Sequence, residues 1–253
     1  EATVEGVVEE PGVVAVPAQV LIQTINLHTG NSVLLRVEDE TLVVEGKEST
    51  TQIKTISHDE FPTIPRLTTD SQIINGVQFA LGIKSSVFAA SQSSIKPELG
   101  SVYVVQKKEH SLTFVATDSF RLMEKTVTQP KVALEEDILL PQKNALEIMR
   151  MFESVDADAQ MQVDENQCAF SFSNGVYITS RLTSGSFPDY NQIIPKEYVT
   201  HTTVLRKDLI HAFKKSNIFL NKFLQVSLVV TKESLTVTAN SGEVGATTES
   251  VPA

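Results

Sequence analysis

The feature that most constrains the fold is an internal repeat with a period of about 125 residues. Its landmarks are a Val-Pro or Leu-Pro pair, an amphipathic stretch, an acidic turn and a final Phe-Pro. They occur at 16–17, 37–40 and 61–62, and again at 140–141, 163–166 and 187–188. A chain built on such a repeat is expected to fold as related units that pack against one another.

A second unit alternates with the first. The segments KSSVF at 84–88 and LTFVA at 112–116 recur as KSNIF at 215–219 and LTVTA at 235–239. The chain therefore consists of two kinds of half-domain in alternation, each with one helix and about three or four strands. Because such a half presents one apolar sheet face and one apolar helix stripe, it needs a partner half to bury both.

The phase of the repeat predicts the domain organisation. The chain starts in the middle of a repeat and without Met, so we expect an internal fragment of a longer protein. Linkers are predicted at 63–69 and at about 196–201. The expected domains are a truncated second half at 1–66, one complete domain at 67–195 and a truncated first half at 196–253.

Hydrophobic residues at helical spacing predict four helices. They span 16–28, 71–90, 141–152 and 206–220. Pro17 and Pro141 stand where the first turn of a helix tolerates proline. Asp70 or Ser71 is the expected N-cap of the second helix.

The rest of the chain alternates apolar and polar residues as strands do. The strongest hairpin signal is the Asn174-Gly175 pair, which lies between two alternating segments within 169–180. Further hairpins are predicted to turn at 38–40, 107–109 and 231–233. The predicted class is α+β, with repeated half-domains of one helix packed on antiparallel sheet.

Composition excludes several classes of protein. With 41% hydrophobic and 21% charged residues the chain is globular, and disorder, collagen and coiled coil are excluded. No stretch approaches the roughly 18 apolar residues of a membrane span. A single cysteine, Cys168, excludes an intramolecular disulfide and a multi-cysteine metal site, which fits a reducing compartment. We expect a soluble cytoplasmic protein.

The net charge of −10 is at first an observation against DNA binding. Divided by segment, however, 16–28, 71–95, 141–152 and 206–222 together sum to +6 and the rest of the chain to −16. The acids concentrate in turns and loops, including 38–40, 135–137 and 164–165. A basic helix face on an acidic body would contact phosphate on one side, while a merely solvated face is the alternative for any single helix. Without interleaved aromatic residues, backbone contact is favoured over base readout.

Three motifs resemble those of the bacterial replicative sliding clamps, the β subunits of DNA polymerase III. They are ATDSFRL at 116–122, FPDY at 187–190 followed by IIP at 193–195, and LTVTANS at 235–241. The resemblance covers essentially the whole chain. It implies a DNA-clamp fold in which each subunit has three domains of this two-half design. It further implies a head-to-tail ring of two subunits whose helices surround duplex DNA, and a non-catalytic processivity factor.

The resemblance also implies site residues. The peptide-binding positions are Leu99, Thr117, Arg121, Leu122, Pro188 and Ile193. The DNA-facing positions are Lys84, Lys96, Lys143, Arg150, Lys196, Lys207, Lys214 and Lys215. The ring-interface positions are Ile53, Ile218 and Phe219. Ordinary core packing is the alternative for the apolar members, and a local turn is the alternative for Thr117 and Asp118.

Two departures from the family pattern bear on the peptide site. Ser119 and Phe120 stand where Gly-His is frequent, and Gln192 stands where a base is common. The partners implied by the resemblance are duplex DNA without sequence preference, the DNA polymerase III α subunit, the clamp loader, the complex that carries the 3′–5′ exonuclease, other proteins with a clamp-binding motif, and a second copy of the subunit. No cofactor, metal or membrane partner is expected, and the implied location is the nucleoid-containing cytoplasm.

An enzyme and a structural protein are the competing classes. The five histidines show no metal-ligand spacing, and the chain has no phosphate-binding glycine loop and no nucleophile elbow. Asp118 and Arg121, three residues apart, fit a local ion pair better than a catalytic acid with its orienting base. A repeat-built β-rich protein of phage or surface type would explain the hairpins but not the basic helices.

Overall fold

A computed structural model of the chain describes residues 1–59, 61, 63–64, 66–93, 95–134 and 136–253. Glu60 and Pro62 of the repeat, Pro65 of the first predicted linker and Glu135 of an acidic loop lie outside these residues. The described chain forms two compact units, Glu1–Phe187 and Pro188–Ala253, and each is described by itself. The domain boundaries expected at 66 and 195 stay a prediction.

The first unit contains helices α1 to α3 and strands β1 to β11. In chain order they are α1 (Ala18–Asn26), β1 (Leu34–Glu38), β2 (Thr41–Glu45), β3 (Thr50–Lys54), β4 (Gln72–Ile74), α2 (Gly76–Ser86) with the 3₁₀ turn Val87–Ala89, β5 (Ser101–Val105), β6 (Ser111–Thr117), β7 (Leu122–Thr128), β8 (Ile138–Pro141), α3 (Gln142–Val155), β9 (Ala159–Val163), β10 (Gln167–Phe172) and β11 (Tyr177–Arg181).

The second unit repeats the pattern once. Its elements are the 3₁₀ turn Tyr190–Gln192, α4 (Arg206–Ser216) with the 3₁₀ turn Asn217–Phe219, β12 (Ser227–Val230), β13 (Ser234–Ser241) and β14 (Gly245–Pro252). The sheet orders are β1-β2-β3, β7-β6-β5-β8 and β11-β10-β9-β4 in the first unit and β12-β13-β14 in the second. All of these pairings are antiparallel, so the predicted α+β class of one helix per small antiparallel sheet is confirmed.

The two middle sheets exchange a strand. Strand β4 directly precedes α2 but pairs with β9, which follows α3, with Ile74 opposite Ala159. Strand β8 directly precedes α3 but pairs with β5, which follows α2, with Leu140 opposite Val102. Each half therefore supplies the fourth strand of the other half's sheet, and the two fold as one body.

A cluster of four phenylalanine rings joins these halves. Phe79 of α2 lies 5.2 Å from Phe114 of β6 and 5.4 Å from both Phe152 of α3 and Phe170 of β10, measured between ring centroids. Gly82 permits this packing, because a Cβ at that position would lie 2.3 Å from the Phe114 ring. Both helices and both sheets of the middle region thus share one core.

The outer half-domains have small cores of their own. Under α1 the buried side chains are Leu42, Val44 and Ile53, whereas every residue of β1 is exposed. Under α4 they are Ala212, Leu235, Val237 and Val251.

The predicted hairpins are confirmed. Asp39 and Gly175 adopt positive φ values of 50° and 82° at their turns, as a tight reversal requires. The Asn174 side chain accepts a hydrogen bond from the backbone N–H of Val176, which fixes the second turn.

The second helix departs from the prediction at its start. It begins at Gly76, because residues 72–74 pair with β9 and Asn75, not Asp70 or Ser71, is the N-cap. The Asn75 carboxamide accepts from the backbone N–H of Gln78, and the Asp158 carboxylate accepts from that of Gly76. Pro17 and Pro141 stand at the N-cap positions of their helices, one residue before the first turn.

The observed helix ends also correct the charge count. Helix α3 extends to Val155 and so includes Glu153, which leaves it with two bases and two acids. Helix α4 ends at Ser216, before Lys222, and carries four bases and one acid. With Lys84 on α2 and no charge on α1, the helices sum to +4 and not +6. The contrast with the rest of the chain, now −14, keeps its sign.

Candidate functional site

The turn between β6 and β7 carries the first motif of the candidate peptide site. Thr117, the last residue of β6, donates its hydroxyl to the carbonyl of Arg121 at 2.7 Å and accepts from the N–H of Ser119 at 3.1 Å. Ser119 has φ +76°, a conformation that glycine adopts at least cost. This explains physically why glycine would suit the position, and the serine here is held by the Thr117 bond.

Asp118 organises the same turn. Its Oδ1 accepts from the backbone N–H groups of Phe120 and Arg121, each at 3.0 Å, and its Oδ2 accepts from Nε of Arg121 at 3.1 Å. These backbone hydrogen bonds, Arg121's first, hold the pKa of Asp118 below its usual value, with a smaller contribution from the Arg121 charge. The carboxylate therefore stabilises the turn at neutral pH, and this contribution is lost as the pH falls through the lowered pKa. The expected local ion pair is observed.

The turn exposes Phe120 and places Arg121 over an aromatic ring. Phe120 is 98% exposed at its tip. The Arg121 guanidinium lies over the ring of Phe88, 5.7 Å from its centroid, and Phe88 itself is 55% exposed at the end of α2. Sequence reasoning did not single out Phe88 as a site residue. The signal available was its place in the repeated KSSVF segment, which does not say which way the ring points.

The remaining predicted peptide-site residues fall into two groups. In the first unit Leu99 is buried, with its carbonyl accepting from the N–H of Ser91, and Leu122 is half-buried at the start of β7. In the second unit Pro188 and Ile193 are exposed on either side of the 3₁₀ turn Tyr190–Gln192. The grouping of all six into one pocket stays a prediction.

Hydrogen bonds between its own residues stabilise the segment 188–193. The Asp189 carboxylate accepts from the N–H of Asn191 at 3.2 Å and from Nε2 of Gln192 at 2.9 Å. Gln192, which stands where the family often has a base, is thereby tied to Asp189. Ile193 is left 68% exposed beside it.

The predicted DNA-facing bases are all exposed. Lys84, Lys143, Arg150, Lys207, Lys214 and Lys215 lie on α2, α3 and α4, and Lys96 and Lys196 lie in loops. Three of them form ion pairs: Lys84 with Glu153 at 2.7 Å, Arg150 with Glu147, and Lys215 with Glu249 of β14 at 2.6 Å. The Lys215 hydrogen bond holds the pKa of Glu249 below its usual value.

The predicted ring-interface residues differ in exposure. Ile53 is 3% exposed and belongs to the core beneath β3, although β3 itself is an edge strand of its sheet. Ile218 is exposed and Phe219 half-buried in the 3₁₀ turn after α4. For the Ile53 side chain, core packing is therefore the observed role within the chain.

In the part of the chain that the structure describes, few side chains are placed to bind a metal ion or to act as a nucleophile. No cluster of three or more His, Cys, Asp or Glu side chains that could hold a metal ion occurs among these residues. Burial raises the pKa of Cys168 to about 12, so its thiol is protonated at neutral pH. None of the described helices combines the length and apolar character needed to cross a bilayer.

Comparison with known proteins agrees with this geometry. Residues 73–189 match the family described as the central domain of the DNA polymerase III beta subunit. The beta sliding clamp of Synechococcus elongatus is 27% identical over 97% of this chain and 68% of its own length. That of Escherichia coli is 26% identical over 92% of this chain and 64% of its own length. The chain thus spans about two thirds of the length of these relatives.

Solved structures share the fold. The DNA polymerase III β subunit of Pseudomonas aeruginosa superposes with a TM-score of 0.83 at 24% identity, covering 98% of this chain and 68% of that one. The sliding clamp of Bacillus subtilis gives 0.84 at 22% identity, covering 96% and 65%. Segment 73–189 thus matches the central domain of the DNA polymerase III beta subunit, and along nearly its whole sequence the chain is similar to bacterial β sliding clamps.

Proposed function

We propose that the protein is the DNA sliding clamp of a bacterial replicase. In this proposal it is a non-catalytic processivity factor that surrounds duplex DNA in the cytoplasm and tethers polymerase and repair partners to it. The observation that carries the proposal is the separation of charge: exposed bases lie on α2, α3 and α4 of a chain with net charge −10. Together with the similarity to the β sliding clamps, this favours helices that face DNA.

The proposed DNA contacts are to phosphates alone. The exposed bases on the helices are five lysines and two arginines, without aromatic side chains interleaved to stack bases, so sequence would not be read. Phosphate contacts of this kind are weakened by salt and are equivalent along the duplex. A ring held by topology needs no stronger contact, because the tethered polymerase stays at high effective concentration near the primer end.

The proposed partner site of the first unit is the β6–β7 turn with Leu122 at the start of β7. A short linear peptide with a Gln and terminal Leu or Phe residues would place an apolar side chain against the half-buried Leu122. The rigid turn held by Asp118 would present Arg121 to the peptide's polar groups. The proposed partners are the polymerase α subunit, the clamp loader, the exonuclease-containing complex and other proteins with this motif.

A second copy of the subunit is also proposed as a partner, in the closed head-to-tail ring of the full-length protein. The exposed edge of β3 and the exposed Ile218 are the features that support this assignment. Unpaired edge strands present backbone N–H and C=O groups to a neighbouring chain.

Separate sites for peptide and DNA give a sharp test. Arg121→Ala should weaken binding of a polymerase-derived peptide about tenfold, the loss expected when an exposed anchoring arginine is truncated. Isothermal titration calorimetry measures the peptide affinity, and fluorescence anisotropy with a mixed-sequence duplex measures DNA binding. Arg181→Ala, the same change at the exposed end of β11, is the matched control and should leave peptide binding unchanged.

The outcomes distinguish the classes. Salt-sensitive, sequence-independent DNA binding that survives Arg121→Ala supports the clamp with two sites. Equal loss of peptide and DNA binding contradicts separate sites. If the wild-type chain binds neither ligand, the repeat-built structural protein is the better assignment.

A further inference from the structure

Candidate DNA-facing bases on α2 and α3 form ion pairs with nearby carboxylates. Lys84 Nζ of α2 lies 2.7 Å from Glu153 Oε1 of α3. Within α3, Arg150 pairs with Glu147 three residues earlier. Lys84 and Arg150, two of the candidate DNA-facing bases on these helices, therefore already contact a carboxylate.

The Glu147 carboxylate lies on the same surface of α3 as Lys143 and Arg150. Residues 143, 147, 150 and 154 follow helical spacing, and all four are exposed, so they form one stripe along α3. Its charges alternate, with Glu147 between Lys143 and Arg150. The side chains of Glu147 and Arg150 are 63% and 64% exposed, which leaves them accessible to a large anionic ligand. A phosphate that reaches Arg150 must also approach Glu147.

We propose that Glu147 and Glu153 limit the affinity of this surface for DNA, by competing with phosphates for Arg150 and Lys84. The inference rests on the proposed function, because it assumes that the helices face duplex DNA. Exposed ion pairs are weak and screened by salt, so a phosphate can displace the carboxylate. The binding free energy of each contact is then only the difference between the base–phosphate and base–carboxylate attractions. The repulsion between the carboxylate and the phosphate reduces it further. Such contacts exchange readily along the duplex.

The test replaces each carboxylate with an uncharged amide of the same shape. Glu147→Gln and Glu153→Gln, made in the full 253-residue chain, each free one base and remove one negative charge. Each should tighten binding to a mixed-sequence duplex about threefold near 50 mM salt, with the gain disappearing near 200 mM, because about one further counterion is released. Fluorescence anisotropy over a salt series gives both the affinity and its salt slope.

Glu165→Gln is the matched control. It makes the same change in net charge at an exposed position in the β9–β10 turn, outside the helices. If net charge alone set the affinity, all three variants would bind equally, and the inference would be overturned. A larger gain for the two α3 variants than for Glu165→Gln supports it.

A double-mutant cycle tests the pairing itself. Arg150→Gln should cost little in the wild-type chain, where Glu147 already engages the arginine, and several-fold more in the Glu147→Gln background. An additive cycle overturns the competition between carboxylate and phosphate. Circular dichroism of each variant reports on the fold.

The failure of this inference differs from failure of the proposed function. If the wild-type chain shows no salt-sensitive binding to duplex DNA, the proposed function fails, and the inference fails with it. If the wild-type chain binds and the α3 variants match the control, only the inference fails.

Discussion

The middle pair of half-domains and the outer half-domains are built from the same repeated elements but packed differently. In the middle pair α2, α3 and their two sheets share one core around Phe79. Beneath α1 and α4 the buried clusters are small. Strands β1 and β12, at the edges of the outer sheets, are exposed along their whole length, including Leu34 and Leu228.

The difference shows that one repeat unit is not a self-sufficient folding unit. What the middle pair has, and the outer sheets lack among the described residues, is the fourth strand donated by the other half. The exchanged strand β4 leads directly into α2 through Asn75, and this junction is held by the buried side chain of Gln129. Stability is therefore expected to be highest where two halves interlock.

The largest effect on stability is expected for Phe79→Ala in the middle core. We expect a loss of about 3–5 kcal/mol, because three rings lose a common neighbour and a cavity remains. The same substitution at Phe213, which is half-exposed on α4, should cost about 1 kcal/mol or less. Since the chain has no Trp, unfolding in urea is best followed by hydrogen exchange and mass spectrometry resolved by segment. Equal costs at the two sites would break the comparison.

A smaller effect is expected at the strand-exchange junction. Gln129 Oε1 accepts from the N–H of Asn75 at 2.8 Å, and Nε2 donates to its carbonyl at 3.0 Å. Gln129→Leu leaves the Asn75 N–H unpaired, whereas the Asn75 carbonyl still accepts from the N–H of Phe79, so the change should cost about 2 kcal/mol. The unfolding midpoint of β4 and α2 should fall with it.

Gln106→Leu is the matched control for the junction. Gln106 also makes two backbone hydrogen bonds, to Val132 and Leu134, but it is only half-buried and lies outside the exchange. Because water can replace its partners, we expect a loss of about 1 kcal/mol or less. A loss at Gln106 equal to that at Gln129 would show that the junction is not special.

Local signals in the sequence were enough for the hairpins and for the existence of all four helices. Turn chemistry at Asn174-Gly175 and periodicity in α3 depend on neighbouring residues alone. The exchange of β4 and β8 could not be predicted in this way, because pairing is long-range. Residues 72–74 continue the helical spacing of α2, and only β9, more than 80 residues later, makes them a strand.

The candidate site was predictable to a similar extent. The Asp118–Arg121 pair follows from their spacing, and the structure adds the backbone hydrogen bonds that fix the turn. The contact of Arg121 with Phe88 joins elements more than 30 residues apart and has no local signal. The Lys84–Glu153 pair was missed because the predicted third helix ended at 152, one residue before the carboxylate.

The smallest effect on stability is expected at the N-terminal caps of the helices in the two regions. Helix α2 is capped by the Asn75 side chain, whereas α4 begins after Leu205, which makes no side-chain cap. Leu205 has φ −67° and ψ 122°, the extended geometry that an N-cap residue requires. Leu205→Asn should therefore stabilise α4 by about 0.5–1 kcal/mol, because a side-chain oxygen would pair with an otherwise free N–H of the first turn. Slower hydrogen exchange within 206–216 measures the gain.

Leu205→Ala removes the same exposed side chain without adding a cap, so equal protection in the two variants would show that the missing cap is not what weakens this half-domain.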